Sequence, residues 1–396
     1  MPWKTVTALA FSQLVAWGIL YYAFAVIQAP MGRENGWSLP QMNGAFSLAL
    51  CISGLSAYHV GRHIDRQGGR RVMFVGALVA AFALYGWSQV TMLWQFYLVM
   101  AVAGIAASMT LYEAAFAVVA RLAPQDYRRG ITTITILGGL ASTCFIPLTH
   151  YLVEQFGWRA TLLILAGIML LVCAAIPLLA LSPAVRDAAV QTLKPDNARV
   201  FDAVKRMPAF WLLIIAYVAH AFFYTALLFN LLPYLAERGF SSAAAVGVYA
   251  LIGPSQVAGR AALLTIDRHM RTAHAGLIAT AVPVIAVFML GFMAPGSVAA
   301  YLFPVLFGFS MGVKTVVQAT AAPEFLRQAS YGALQGLIAL PVALAMASAP
   351  FVSALLWTQG GSQLLVGALA VLAVVSFASF ALAARQSSTR RDAAAA

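Results

Sequence analysis

Long apolar stretches recur along almost the whole chain, and they restrict its fold more than any other feature of the sequence. Hydrophobic residues make up 62% of the chain and charged residues 9%, whereas a soluble domain carries roughly 25% charged residues. A membrane-spanning helix needs about 20 mostly apolar residues. Twelve such helices are predicted, at 5–29, 40–63, 71–91, 94–121, 130–153, 158–181, 208–235, 242–266, 272–294, 298–320, 330–356 and 362–384. We therefore predict an all-α integral membrane protein.

The basic residues are distributed unevenly between the two sides of these predicted helices. If the N-terminus is cytoplasmic, only Arg33, Arg159 and Arg238 fall outside. Nineteen of the 24 lysines and arginines then fall inside, namely Lys4, Arg62, Arg66, Arg70, Arg71, Arg121, Arg128, Arg129, Arg186, Lys194, Arg199, Lys205, Arg206, Arg268, Arg271, Arg327, Arg385, Arg390 and Arg391. This bias is the positive-inside signal that sets membrane orientation. It predicts cytoplasmic termini, and it explains the net charge of +12 without a nucleic-acid partner.

The chain is predicted to consist of two related halves. Its longest polar stretch follows the sixth helix, and we read 182–207 as a cytoplasmic linker between an N-terminal bundle, 1–181, and a C-terminal bundle, 208–396. With an offset of 203 residues, three residue types recur in register: Pro30 and Pro233, Gly36 and Gly239, Ser38 and Ser241. Two parallel six-helix repeats around a binding site at the membrane midplane are an architecture of secondary transporters.

The connector between the second and third predicted helices combines glycines, an acid–base pair and arginines. We expect Gly68 and Gly69 to allow the positive φ of a tight turn. The connector resembles the signature G-x-x-x-D-R-x-G-R-R of the major facilitator superfamily, with one extra residue before the final pair. The matching residues are Gly61, Asp65, Arg66, Gly68, Arg70 and Arg71. An offset of 202 residues brings Asp65-Arg66 onto Asp267-Arg268, so we predict that Gly61, Asp65, Arg66, Arg70, Asp267 and Arg268 act in gating as a cytoplasmic latch.

The resemblance implies that helices 1, 4, 7 and 10 line a central cavity, and each carries polar residues. Helix 1 has Gln13, Trp17 and Tyr21 four residues apart, which places them on one face. The polar residues of the other three helices are Tyr112 and Glu113, His220 and Tyr224, and Ser310, Lys314 and Gln318. A polar stripe facing lipid is unfavourable. The neutral members either line the cavity or form hydrogen bonds that hold the bundle together.

Three ionisable residues inside predicted helices carry most of the functional argument. Glu113, Arg260 and Lys314 would each cost roughly 2.5–3.5 kcal/mol at the bilayer centre, so each is a functional candidate. One negative and two positive charges leave a cation that a substrate anion can balance. Lys314 either anchors that anion or pairs with Glu113, and protonation of Glu113 would release Lys314 for the substrate. Glu113 is thus the predicted proton-coupling residue.

Helix 8 is similar to that of one branch of the superfamily. The sequence Gln256-Val-Ala-Gly-Arg260 resembles the helix-8 Asp-x-x-x-Arg of monocarboxylate transporters. In that branch the arginine binds the substrate carboxylate and the acid takes part in proton coupling. The resemblance therefore implies a carboxylate-binding role for Arg260, whereas Gln256 stands where the acid would be.

These observations predict a monomeric secondary transporter, a symporter for protons and a small organic anion. We expect a multi-pass protein of a bacterial-type inner membrane, surrounded by lipid bilayer. Cys51, Cys144 and Cys173 lie in apolar stretches, so we expect no disulfide, metal or cofactor, and no catalytic constellation indicates an enzyme. The predicted substrate-binding residues are Trp17, Tyr21, Tyr112, His220, Tyr224, Gln256, Arg260, Lys314 and Gln318. An exporter of drugs or hydrophobic metabolites is the alternative.

Overall fold

The computed structural model describes residues 3–122, 126–181, 201–202, 204–266, 272–326 and 331–395. Throughout these ranges the regular structure is helical, with no β-strand. The chain divides into two compact units, Met1–Gln191 and Thr192–Ala396. Most of the predicted linker lies outside the described residues, so its boundaries stay a prediction.

In the described part of the first unit, six helices follow one another with short connections. They are α1, Trp3–Asn35; α2, Leu39–Gln67; α3, Gly69–Ser88; α4, Leu93–Thr110 with Tyr112–Leu122; α5, 127–156; and α6, 158–180. Helix α1 continues past Pro30 and ends at Gly36, whose φ of 70° stops it. Gly157, with a φ of 77°, separates α5 from α6. A capping box of Ser38 and Gln41 begins α2.

The described part of the second unit repeats this order. Its helices are α7, Pro208–Glu237; α8, Ser242–Ala250 with Ile252–Ile266; α9, Thr272–Leu290; α10, Val298–Leu326; α11, 331–359; and α12, 362–395. Ser241 caps α8 by accepting a hydrogen bond from the Ala244 N–H at 3.3 Å. Gly360 and Gly361 interrupt the helical backbone between α11 and α12.

Within the described residues these helices provide the twelve predicted crossings. Nine helical stretches of the described chain are long and apolar enough to cross a membrane. Two of them, Arg129–Ala180 and Leu337–Ser387, each contain one of the glycine interruptions and therefore provide two crossings. Helix α8 provides the twelfth crossing. Its two segments, of 9 and 15 residues, are each too short to span a membrane, so together they make one crossing. The predicted membrane fold is confirmed.

Glycines bring equivalent helices together in the two units. A Cβ on Gly104 of α4 would lie 2.3 Å from the carbonyl oxygen of Ala49 on α2. A Cβ on Gly308 of α10 would lie 2.4 Å from the carbonyl oxygen of Ile252 on α8. Neither backbone contact leaves room for a side chain, which is how small residues permit close helix packing in membranes. The repeat predicted from sequence offsets is therefore also a repeat of helix packing.

A polar network, which we call the outer clasp, joins α1, α3 and α6 on the predicted outer side. It consists of Glu34, Trp158 and Arg159. Glu34 accepts hydrogen bonds from Trp158 Nε1 at 2.6 Å and from Arg159 Nε at 3.0 Å. Arg159 also donates to the carbonyl oxygens of Ser88, at 2.7 Å, and Val90, at 3.0 Å. The clasp thereby satisfies carbonyls that the end of α3 leaves without helical partners.

The second unit has a simpler version of this clasp. Glu237, at the end of α7, accepts a hydrogen bond from the Ser362 hydroxyl at 2.6 Å. Ser362 directly follows Gly361, just as Trp158 directly follows Gly157. In both units, then, a carboxylate at the end of the first helix holds the beginning of the sixth.

Candidate functional site

The predicted residues of α1 lie beside a local widening of that helix. Residues Gly18–Tyr22 form a π-helical turn, a feature that often marks functional sites. Gly18 is required there, since a Cβ would come within 2.1 Å of the Phe145 ring on α5. Trp17 contacts both Tyr21 and Tyr112, with ring centroids 5.2 and 4.8 Å away. The structure thus brings these three predicted residues together.

Helix α4 is broken next to this aromatic group, whereas the sequence predicted a continuous helix. Leu111 has an extended backbone, with φ −82° and ψ −165°, and a second segment begins at Tyr112. In a continuous helix the carbonyl of Thr110 would accept from the N–H of Ala114. Instead, Gln13 on α1 donates its Nε2 to that carbonyl at 2.7 Å. A side chain of α1 therefore takes over a helical hydrogen bond of α4.

Glu113 lies in the first turn of the second α4 segment. Its side chain is exposed on the first unit. Among the described residues it forms no ion pair. The predicted proton-coupling residue therefore lies at a helix end, without a basic partner in the described part of its unit.

Lys314 is the corresponding basic residue of the second unit, within α10. Its Nζ lies 6.0 Å from the ring centroid of Tyr217 on α7, and its charge acts on His220 one turn further along α7. In the described part of the chain Lys314 forms no ion pair. The Tyr217 hydroxyl and His220 Nε2 are buried there without hydrogen-bond partners. Lys314 thus faces polar groups of α7 that are themselves unsatisfied.

Three more predicted residues of the second unit pack around a stacked aromatic pair. The ring of Tyr224 lies parallel to that of Phe307 on α10, with centroids 4.3 Å apart, and parallel to His220 at 6.4 Å. Gln256 on α8 donates its Nε2 to the Tyr224 hydroxyl at 3.4 Å. Tyr224 is 6% exposed and Gln256 1% exposed. These side chains therefore join α7, α8 and α10.

Arg260 lies one turn beyond Gln256 and is buried against α10. Its Nε donates to the Thr315 hydroxyl at 3.4 Å. A Cβ on Gly312 would lie 2.1 Å from the Gln256 carbonyl oxygen, so α8 and α10 touch through their backbones here. Gln318 is half-buried one turn after Lys314 on α10. The two intramembrane cations of this unit thus belong to one tightly packed helix pair.

Comparisons with known proteins agree with this architecture. Residues 9–350 match the Major Facilitator Superfamily. The chain belongs to the major facilitator superfamily. It is a multi-pass membrane transporter. No curated protein matches the chain significantly.

Solved structures of other transporters share the fold. A bacterial homologue of the human lysosomal transporter Spinster, inward-facing and unoccupied, aligns over 97% of both chains with a TM-score of 0.76 and 16% identity. A variant of the nucleoside transporter NupG aligns over 98% of this chain and 100% of its own, with a TM-score of 0.77 and 15% identity. At such low identity the similarity shows the fold alone.

In this major facilitator protein the signature connector is almost entirely helical. Helix α2 continues through Gly61 to Gln67, and Gly68, with a φ of 84°, separates it from α3. The prediction that Gly69 also takes a positive φ was wrong, because Gly69 begins α3 as a helical residue. A glycine is needed there for packing, since a Cβ would lie 2.0 Å from Val118 Cγ2 on α4.

The gating prediction for this connector falls partly outside the described residues. Arg70 is half-buried in the first turn of α3. The side chains of Asp65 and Arg66 are not among those described, nor are Asp267 and Arg268 at all. The cytoplasmic latch therefore stays a prediction.

The structure adds several residues that the sequence did not single out as substrate-binding. Tyr217 carried a weak signal, because it precedes His220 by three residues and so shares its face of α7. Phe307 and Thr315 act through contacts between helices, which no spacing within one helix reveals. Ser310, by contrast, donates to the Ala279 carbonyl on α9 at 2.7 Å and so helps hold the bundle together.

Proposed function

We propose that this transporter moves a small organic anion, most simply a carboxylate, by alternating access in symport with protons. The proposal includes a bacterial-type inner membrane, cytoplasmic termini and a monomer. Rocking-bundle transport requires two structurally related units, and the two units of this chain repeat one order of helices. Arg260 continues the resemblance to monocarboxylate transporters, in which the helix-8 arginine binds the substrate carboxylate.

The proposed preference for an anion rests on Lys314. An intramembrane lysine is a functional residue by default, because its charge costs roughly 2.5–3.5 kcal/mol at the bilayer centre on insertion scales. Lys314 makes no ion pair among the described residues, and its neighbours Tyr217 and His220 carry no negative charge that could balance it. An anionic substrate would provide the missing countercharge and accept hydrogen bonds from the ammonium group.

Ligand-dependent thermal stability of the purified protein tests this function. Acetate and benzoate should stabilise the wild type, since a ligand at 100 times its Kd adds about 2.7 kcal/mol to the stability of the folded state. Lys314→Met keeps the length of the side chain but removes its charge, so it should abolish the carboxylate effect. Lys205→Met is the matched control, because Lys205 is exposed and pairs with Asp202.

Two results would contradict the anion proposal. One is stabilisation by carboxylates that persists in full in Lys314→Met. The other is stabilisation of the wild type by tetraphenylphosphonium or by uridine, with none by carboxylates.

An exporter of drugs or hydrophobic metabolites is the second candidate, and the aromatic group of the first unit favours it. Trp17, Tyr21 and Tyr112 are joined by Phe116, whose ring stacks on Tyr112 with centroids 5.1 Å apart. Aromatic surfaces of this kind bind flat or cationic compounds. This function predicts stabilisation by tetraphenylphosphonium that is the same in the wild type and in Lys314→Met.

A further inference from the structure

One face of α7 carries two buried polar groups that have no partner in the described part of the chain. Tyr217, His220 and Tyr224 follow one another at intervals of three and four residues, so they share this face. The Tyr217 hydroxyl and His220 Nε2 are buried without hydrogen bonds to any described residue. Tyr217 is 1% exposed and His220 3% exposed. Most buried polar groups in proteins are hydrogen-bonded, so each exception calls for an explanation.

The same face of α7 is turned towards α10 and Lys314. Lys314 Nζ lies 6.0 Å from the ring centroid of Tyr217. Further along both helices, the ring of Tyr224 stacks on that of Phe307, with centroids 4.3 Å apart. His220 lies between these two contacts along α7. The two unpartnered groups therefore line the same helix contact as Lys314, which forms no ion pair with any described residue.

A second tyrosine of α7 shows what a purely structural hydroxyl does on this helix. Tyr234 is buried as well, and its hydroxyl donates to the carbonyl oxygen of Leu290 on α9 at 2.6 Å. The ring of Tyr217 packs against Phe380 on α12, with centroids 6.5 Å apart. This packing limits the positions that the Tyr217 hydroxyl can reach. Tyr217 thus differs from Tyr234 in having a fixed ring and an unsatisfied hydroxyl.

We propose that the Tyr217 hydroxyl binds the transported anion, by donating a hydrogen bond to the carboxylate that Lys314 attracts. The inference rests on the proposed function and adds a neutral binding residue on α7. A carboxylate has two acceptor oxygens, so it can accept from an ammonium group and from a hydroxyl at the same time. Hydrogen bonds to an ionised acceptor are also stronger than those between neutral groups. One ligand therefore balances the charge of Lys314 and satisfies the hydroxyl of Tyr217.

Replacement of Tyr217 by phenylalanine tests this role. Tyr217→Phe keeps the ring against Lys314 and Phe380 and removes only the hydroxyl. Without ligand, the purified variant should unfold at the wild-type temperature or above it, because it no longer buries an unsatisfied hydroxyl. Its affinity for acetate and benzoate, measured by titration calorimetry, should be about tenfold weaker, as expected when one hydrogen bond to a charged group is lost.

Tyr234→Phe is the matched control. It removes a buried hydroxyl from the same helix, but one that is bonded to the Leu290 carbonyl. This variant should unfold at a lower temperature than the wild type, because the carbonyl loses its donor. It should bind acetate and benzoate with wild-type affinity. The two variants are thus expected to change stability and affinity in opposite ways.

Infrared spectroscopy of isotope-labelled acetate gives a direct measure of the hydrogen bond. At saturating acetate, the carboxylate stretching bands of the bound ligand should differ between the wild type and Tyr217→Phe, because a donor at one oxygen polarises the group. The bands should be the same in the wild type and in Tyr234→Phe.

Three results would overturn the role of Tyr217. One is wild-type affinity of Tyr217→Phe for both carboxylates, and another is bound acetate with unchanged infrared bands. The third is a ligand-free Tyr217→Phe protein less stable than the wild type, since the hydroxyl would then have a partner within the protein. Each of these leaves the proposed anion transport intact, because Lys314→Met tests it separately. Failure of the wild type to bind either carboxylate would reject both proposals.

Discussion

At the scale of single residues, glycines determine how closely the helices of each unit approach. Gly312 is a clear case in the second unit, because it faces the backbone of α8 at Gln256 and Arg260. A carbonyl group cannot turn aside as a flexible side chain can. The same close approach brings Arg260 against Thr315, next to Lys314 in sequence. The absence of a side chain at Gly312 therefore helps to position Arg260, a candidate binding residue.

Gly312→Ala should destabilise the protein, because its methyl group would lie 2.1 Å from the Gln256 carbonyl oxygen. Overpacking of this kind typically costs about 1–3 kcal/mol. Thermal unfolding of the purified protein in detergent measures the change. Gly247→Ala, on α8 in the same unit, is the matched control, since its Cβ would meet no atom within 4 Å. A Gly312→Ala protein as stable as the Gly247→Ala protein would disprove this packing argument.

At the scale of helices, two irregular segments lie close together in the first unit. The π-helical turn Gly18–Tyr22 interrupts α1, and the extended residue Leu111 interrupts α4. Gln13, one turn before the π-helical turn, bonds the carbonyl of Thr110 at the break. Inside a membrane, backbone that leaves the helix must find its hydrogen bonds within the protein. Here the Gln13 side chain of α1 supplies one such hydrogen bond to α4.

The ends of helices also hold a testable difference between the two units. Glu34 receives donors from Trp158 and Arg159, whereas Glu237 receives the Ser362 hydroxyl. We expect Glu34→Gln to lower the free energy of unfolding by about 1 kcal/mol, because its hydrogen bonds are charge-assisted but half-exposed. Glu237→Gln should lower it less. Thermal unfolding of both purified variants gives the comparison, and an equal loss in the two would show that the Arg159 network adds nothing.

At the scale of the whole molecule, the distribution of basic residues predicts how the protein sits in the membrane. In a variant with Cys51, Cys144 and Cys173 replaced by alanine, Arg33→Cys should react with a membrane-impermeant maleimide in intact spheroplasts. Arg391→Cys should react only after lysis, because the positive-inside bias places it in the cytoplasm. Labelling of Arg391→Cys without lysis would reverse the predicted orientation.

The sequence by itself determined the membrane class, the twelve crossings and the repeat. Each of these depends on a regular pattern: apolar stretches long enough to span a bilayer, or residues recurring at a nearly constant offset, such as Gly36 and Gly239. It also identified Glu113, Arg260 and Lys314, since a charge in an apolar stretch is visible without any structure.

Only the tertiary structure decided what surrounds those residues. No proline or glycine marks Leu111, so the break in α4 could not be predicted, and it depends on a hydrogen bond from Gln13 ninety-seven positions away from Thr110. Gly69 was interpreted as a turn residue. A larger residue does not fit there because its Cβ would clash with Val118. In each case the physical cause lies on another helix, and spacing along one helix carries no information about what the next helix places against it.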